Sequence, residues 1–108
     1  MEIAREFAEL INSEDIVKVI VFGSVAREED TEESDIDILI VSPIARDIRK
    51  DINKIVVDIV LEKDELISAH LMTEEHFNKT INYPFLTNVL NEGVVLVGMS
   101  SIRKLMLN

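Results

Sequence analysis

Two aspartates, Asp35 and Asp37, stand two positions apart at the opening of the apolar run IDILIVS. Side chains two apart on a strand share a face, so both carboxylates would lie together in apolar surroundings. There they repel each other and lose hydration unless a cation joins them. A hard divalent ion such as Mg²⁺ answers that need, since it prefers oxygen ligands and keeps positions for water and substrate phosphates. The plainer alternative is a pair of acids on the solvated rim where the strand begins, and a bare Asp-x-Asp is more often that.

Gly23-Ser24 follows the apolar stretch IVKVIVF at 16–22. A glycine ending a buried strand lets the backbone approach a ligand and accepts positive φ. Ser24 can cap the following turn while its N–H and hydroxyl face outward as phosphate donors. Taken alone, the pair reads as an ordinary strand-ending turn. Taken with Asp35 and Asp37, it would bring phosphate donors and metal ligands to one edge of two neighbouring strands. Metal-assisted nucleotidyl transfer requires that combination, because the metal bridges triphosphate oxygens and neutralises the charge that develops.

Strands alternating with helices must position these residues. Ile3, Phe7, Leu10 and Ile11 have helical spacing within EIAREFAELIN at 2–12. The β-branched runs at 16–22 and 36–42 read as buried strands, and the polar stretch 24–34 as a helical turn followed by a loop. Residues 45–63 carry two signals: KIVVDIVLE resembles a strand, but Ile48, Ile52, Ile55, Val56 and Ile59 repeat at helical spacing, which favours a long helix. LISAHLM at 66–72 is the third strand. Thr73 is the expected N-cap of EEHFNKTI. Pro84 opens a helix over FLTNVLNE, Gly93 is its expected C′ residue, and VVLVG at 94–98 adds a short strand. The expected fold is α/β, a small mixed sheet with helices packed against it.

Composition sets outer limits. The 108 residues suffice for one core but not two, so 1–108 is expected to be a single domain. Apolar residues make up 47% and aromatics only 5%, so that core must be aliphatic. Cysteine is absent, which excludes disulfides and thiolate chemistry and makes the cytoplasm the default compartment. No apolar run reaches membrane-spanning length, and the acidic N-terminus MEIAREFAEL is not a signal peptide. The net charge of −10, with 11 basic against 21 acidic residues, argues against phosphate-driven nucleic-acid binding. It suits a basic protein partner or simple solubility.

The segment VFGSVAREEDTEESDIDILIV resembles the Gly-Ser-x10-Asp-x-Asp signature of the DNA polymerase beta-like nucleotidyltransferase superfamily. The short length and the ending PFLTNVLNEGVVLV are similar to its minimal nucleotidyltransferases, and the resemblance spans roughly 16–98. It implies the nucleotidyltransferase fold, with Gly23 and Ser24 holding the triphosphate of ATP and Asp35 and Asp37 binding Mg²⁺. It further implies an antitoxin role: many such proteins accompany a HEPN-domain toxin, and some silence it by transferring AMP to one of its tyrosines.

Two departures from the family pattern bear on this. Where relatives often continue Ala-Arg-Gly, this chain has Ala26-Arg27-Glu28, and five of residues 28–33 are acids. Arg27 could touch phosphate, or pair with that acidic loop on the surface. The loop itself is expected to be solvated and to point away from the site. Secondly, active relatives carry a third carboxylate on a later strand, as metal ligand or base. Asp58 is the tempting candidate, Asp64 and Glu65 lesser ones, yet on the expected helix Asp58 is displaced, and the strand LISAHLM holds Ser68 and His70 instead. His70 could face the site or a subunit contact, and neither it nor His76 has a partner at metal-ligand spacing. The alternative to an enzyme is therefore a module that caps its partner with the same fold and no catalysis. Transfer to a small acceptor would need a further domain. Ile102, Leu105, Met106 and Leu107 could form a homo-oligomer or partner contact.

Overall fold

The structure, a computed structural model, describes residues 1–31 and 33–98. The apolar C-terminal positions Ile102, Leu105, Met106 and Leu107 lie outside the described residues.

The elements follow in the order α1 (Glu2–Ile11), β1 (Lys18–Phe22), α2 (Gly23–Ala26), β2 (Ile36–Ser42), α3 (Ala45–Lys63), β3 (Ile67–Thr73), α4 (Glu74–Thr80), α5 (Pro84–Glu92) and β4 (Val94–Val97). The four strands form one sheet in the order β3-β2-β1-β4. β1 runs antiparallel to both β2 and β4, while β2 and β3 are parallel. Parallel neighbours need a long crossover, and α3 provides it. The expected mixed sheet with packed helices is the observed architecture.

Alternation along the strands divides the core in two. Val19, Val21, Ile36, Ile38, Ile40 and Ile67 pack against α1 and α3. Ile20, Leu39 and Val41 point the other way, against Phe77 of α4 and Leu86 and Val89 of α5. Central strands buried on both faces lose the usual polar alternation, which explains the continuous Ile and Val of β1 and β2.

The long helix at 45–63 is α3 with its expected bounds. Ile52 and Ile59 are buried and Ile48, Ile55 and Val56 pack beside them, so helical spacing outweighs the β-branched composition of its second half. The face of α1 differs slightly from expectation. Ala4, Phe7, Ala8 and Ile11 are buried, whereas Leu10 is 57% exposed. The two alanines let the helix sit close to the sheet, a contribution that a search for large apolar side chains overlooks.

Thr73 caps α4, its hydroxyl accepting from the His76 N–H at 3.1 Å, and Pro84 opens α5. Gly93 ends α5 in extended rather than left-handed backbone, with φ −76°. Its need for glycine is spatial: an added Cβ would collide with the Val89 carbonyl oxygen and lie 2.6 Å from Ile20 Cγ2.

Candidate active site

The C-terminal end of β1 and the start of β2 meet in register, with Phe22 paired to Asp37. The chain leaves β1 through Gly23 at φ +74° and enters the short helix α2. That left-handed conformation is strained for any residue with a Cβ. Space requires glycine as well, because a Cβ here would run into the Asp37 carboxylate, 3.3 Å from its Cγ. Gly23-Ser24 and Asp37 therefore meet at one sheet edge, as their spacing in the sequence suggested.

Asp35 is exposed and directly precedes β2, whose entry is fixed by the Ile36 N–H donating to the Leu66 carbonyl at 2.8 Å. Asp37 lies within the strand, its side chain 31% exposed. By alternation it shares the α4/α5 face with Leu39 and Val41. The apolar neighbours Ile36, Ile38 and Ile40 face the opposite way, so the pair is better hydrated than the sequence context implied.

Parallel pairing sets Ser68 beside Asp37 and His70 beside Leu39. His70 Nε2 stands 3.8 Å from Asp37 Oδ1 and 3.4 Å from Ser68 Oγ. The imidazole also packs against Phe22 and Phe85, with ring centroids 5.2 and 6.0 Å away. Of the two places expected for His70, the structure selects the one beside the carboxylate. The same nitrogen faces both Ser68 and Asp37, so these three residues are not linked in a serine–histidine–aspartate relay, which uses opposite ring nitrogens.

The candidates for a third carboxylate are not brought to this edge. Asp58 is exposed on α3, and α3 packs on the opposite face of the sheet from Asp37. Asp64 is the exposed left-handed C-cap of α3, at φ 56°. Glu65 lines a cleft of about 480 Å³ with Met1, Glu2, Asp30 and Ser34, away from Asp37. Among the described residues, no three His, Asp or Glu side chains converge as a metal cage. Asp35 and Asp37 nevertheless fit Mg²⁺, which is usually held by one or two carboxylates, water and substrate phosphates rather than by a full protein cage.

Arg27 takes the second of its two expected arrangements. Its Nε donates to Glu29 at 3.1 Å and its Nη1 to Glu92 of α5 at 3.2 Å. The hydrogen bond to Glu29, then that to Glu92, raises its already high pKa. Glu28, Glu29, Asp30 and Glu33 are exposed, in keeping with a solvated loop.

The departure from the family pattern at Glu28 leaves the backbone conformation of that position unchanged in kind. α2 closes in a Schellman turn, in which the Glu28 N–H donates to Val25 O at 3.2 Å and the Glu29 N–H to Ser24 O at 2.9 Å. The turn forces φ +59° on Glu28, so the position where relatives often carry glycine keeps a glycine-favouring conformation here.

The nucleotidyltransferase domain family model matches residues 1–96. The chain belongs to that family. This nucleotidyltransferase is 44% identical over 95 residues, 85% of its length and 92% of the relative's, to a Methanocaldococcus jannaschii protein named "Putative protein adenylyltransferase". Its fold is shared with a crystal structure described as a putative nucleotidyltransferase from Sulfolobus solfataricus (TM-score 0.56, 20% identity, covering 87% of this chain and 76% of that one). It is also shared with a chain of a toxin–antitoxin structure solved with AMP-PNP (TM-score 0.60, 15% identity, covering 96% and 77%). Among the described residues, no helix is long and apolar enough to cross a membrane.

Proposed function

We propose that this nucleotidyltransferase moves AMP from ATP to a hydroxyl of a partner protein, and that the partner is a HEPN-type toxin which the transfer silences. The observation that carries the reading is the seating of Gly23 against Asp37, which in this reading sets a phosphate-binding turn beside a metal-binding carboxylate. The adenylyltransferase name of the Methanocaldococcus jannaschii relative supports protein as acceptor. The toxin–antitoxin structure with AMP-PNP supports both the nucleotide and the kind of partner.

In this reading the Gly23 and Ser24 backbone and the Ser24 hydroxyl bind the triphosphate, and Asp35 and Asp37 hold Mg²⁺. When bound, the ion neutralises phosphate charge and favours in-line displacement at the α-phosphorus. Phe22, His70 and Phe85 form an aromatic cluster beside Asp37, with His70 Nε2 3.8 Å from its Oδ1. A second reading, a partner-capping module without catalysis, is favoured by one observation: Ser68 and His70 stand on β3 where active relatives bring an acid.

The test is to incubate the protein with its partner, ATP and Mg²⁺ and to follow an AMP adduct on the partner by mass spectrometry. An adduct that Asp37→Asn abolishes supports the enzyme. Full neutralisation of the partner by Asp35→Asn/Asp37→Asn, with no adduct, supports the capping module.

A further inference from the structure

From the cleft between α2 and α5 we infer where the nucleotide's base sits and what selects it: adenine stacks on Phe85, and the Asn88 amide reads its amino group. This rests on the nucleotide-binding reading proposed above and adds the residues that set base preference.

The cleft, of about 120 Å³, is formed by Phe22, Gly23 and Arg27 on one side and by Phe85, Asn88 and Glu92 of α5 on the other. Gly23 belongs both to this cleft and to the contact with Asp37. A nucleotide anchored by its phosphates at Gly23-Ser24 thus has the cleft as its immediate neighbour.

Charge decides which end of the nucleotide enters. Arg27 is neutralised by Glu29 and Glu92, leaving two carboxylates to one guanidinium at the rim. That balance disfavours phosphate and tolerates a neutral, planar group. Phe85 offers a surface for such a group. It is 44% exposed, and its edge-to-face contact with Phe22, at a centroid distance of 5.6 Å, fixes the ring's orientation. Stacking on an aromatic ring stabilises any base, so it supplies affinity without choice.

Choice falls to Asn88. Arg27 and Glu92 are engaged with each other, whereas among the described residues the Asn88 side chain makes no hydrogen bond to protein. A carboxamide can accept from the adenine amino group while donating to the adjacent ring nitrogen. A purine without that amino group forfeits one of the two bonds.

The test uses the full-length protein in Mg²⁺, titrated calorimetrically with ATP, purine riboside triphosphate and inorganic tripolyphosphate. ATP is expected to bind at least about 5-fold more tightly than purine riboside triphosphate, a ratio that Asn88→Ala brings close to one. Phe85→Ala and the volume-keeping Phe85→Leu should both weaken ATP by at least about 5-fold and leave tripolyphosphate unchanged. Asn88 is exposed on its helix, so its replacement by alanine does not threaten folding. Equal binding of the two nucleotides by the unaltered protein, or ATP affinity indifferent to Asn88 and Phe85, would overturn the base assignment while leaving the nucleotide site standing. If the unaltered protein binds neither ATP nor tripolyphosphate, the base assignment and the nucleotide reading fall together.

Discussion

Gly23 and Asp37 are fitted to each other: the glycine lacks the one carbon that would strike the aspartate's carboxylate. The fit follows from the sheet, since the antiparallel pair Phe22–Asp37 makes the last residue of β1 the neighbour of the second residue of β2. The turn proposed to bind phosphate and the carboxylate proposed to bind metal are thereby held in fixed relation by backbone hydrogen bonds.

Gly23→Ala should therefore damage both stability and binding. Positive φ alone costs about 1–2 kcal/mol for a residue with a Cβ, and Asp37 must also shift. Thermal unfolding is expected to fall by several degrees, and ATP binding to be lost even where the variant remains folded. A variant with unchanged melting and binding would contradict the geometry.

The Schellman turn after α2 gives a prediction of opposite sign. Glu28 holds φ +59° with its side chain in solvent, so glycine there should raise stability by roughly 1 kcal/mol. The urea midpoint should rise with an unchanged slope. Glu28→Ala, which removes the charge but keeps the strain, should stay near the parent protein; a rise as large as glycine's would assign the effect to charge instead.

Asp37→Asn and Asp58→Asn separate the two faces of the sheet. If Asp37 ligates the metal as proposed, Asp37→Asn should reduce the proposed Mg²⁺-dependent AMP transfer by at least about 100-fold, since even outer-shell partners of a metal are worth 10–100-fold. Asp58→Asn should leave transfer intact and change stability by no more than about 0.5 kcal/mol. Comparable losses in both variants would mean that Asp58 reaches the site after all.

The Arg27 pairs are surface contacts, with side-chain exposures of 41% for Arg27, 66% for Glu29 and 51% for Glu92. Arg27→Gln should change stability little, because exposed ion pairs are weak, and the difference should shrink in high salt. Denaturation at two ionic strengths checks this; a larger, salt-insensitive loss would point to packing of the arginine stem rather than charge.

Elements with a strong local signal were legible from the chain. Thr73 and Pro84 mark helix starts through capping and a fixed φ, and the α3 periodicity survives its β-branched residues because Ile52 and Ile59 recur at whole turns. The spacing from Gly23 to Asp35 also anticipates one shared edge. What depends on pairing between strands was less visible. Placing His70 beside Asp37 requires the parallel register of β2 with β3, which no local pattern encodes, although the shared parity of Ser68 and His70 hints at a common face. Placing Asp58 on the far side requires knowing which face α3 covers. Glu28 looked like a simple loss of glycine, and only the backbone shows that the glycine conformation remains.

The most direct measurement is calorimetric titration with ATP, with and without Mg²⁺, on the unaltered protein and on Asp37→Asn. Binding that requires Mg²⁺ and is lost in the variant is the predicted result. Binding that ignores both the ion and Asp37, or no binding by the unaltered protein under any condition, would contradict a nucleotide site built on Gly23 and Asp37.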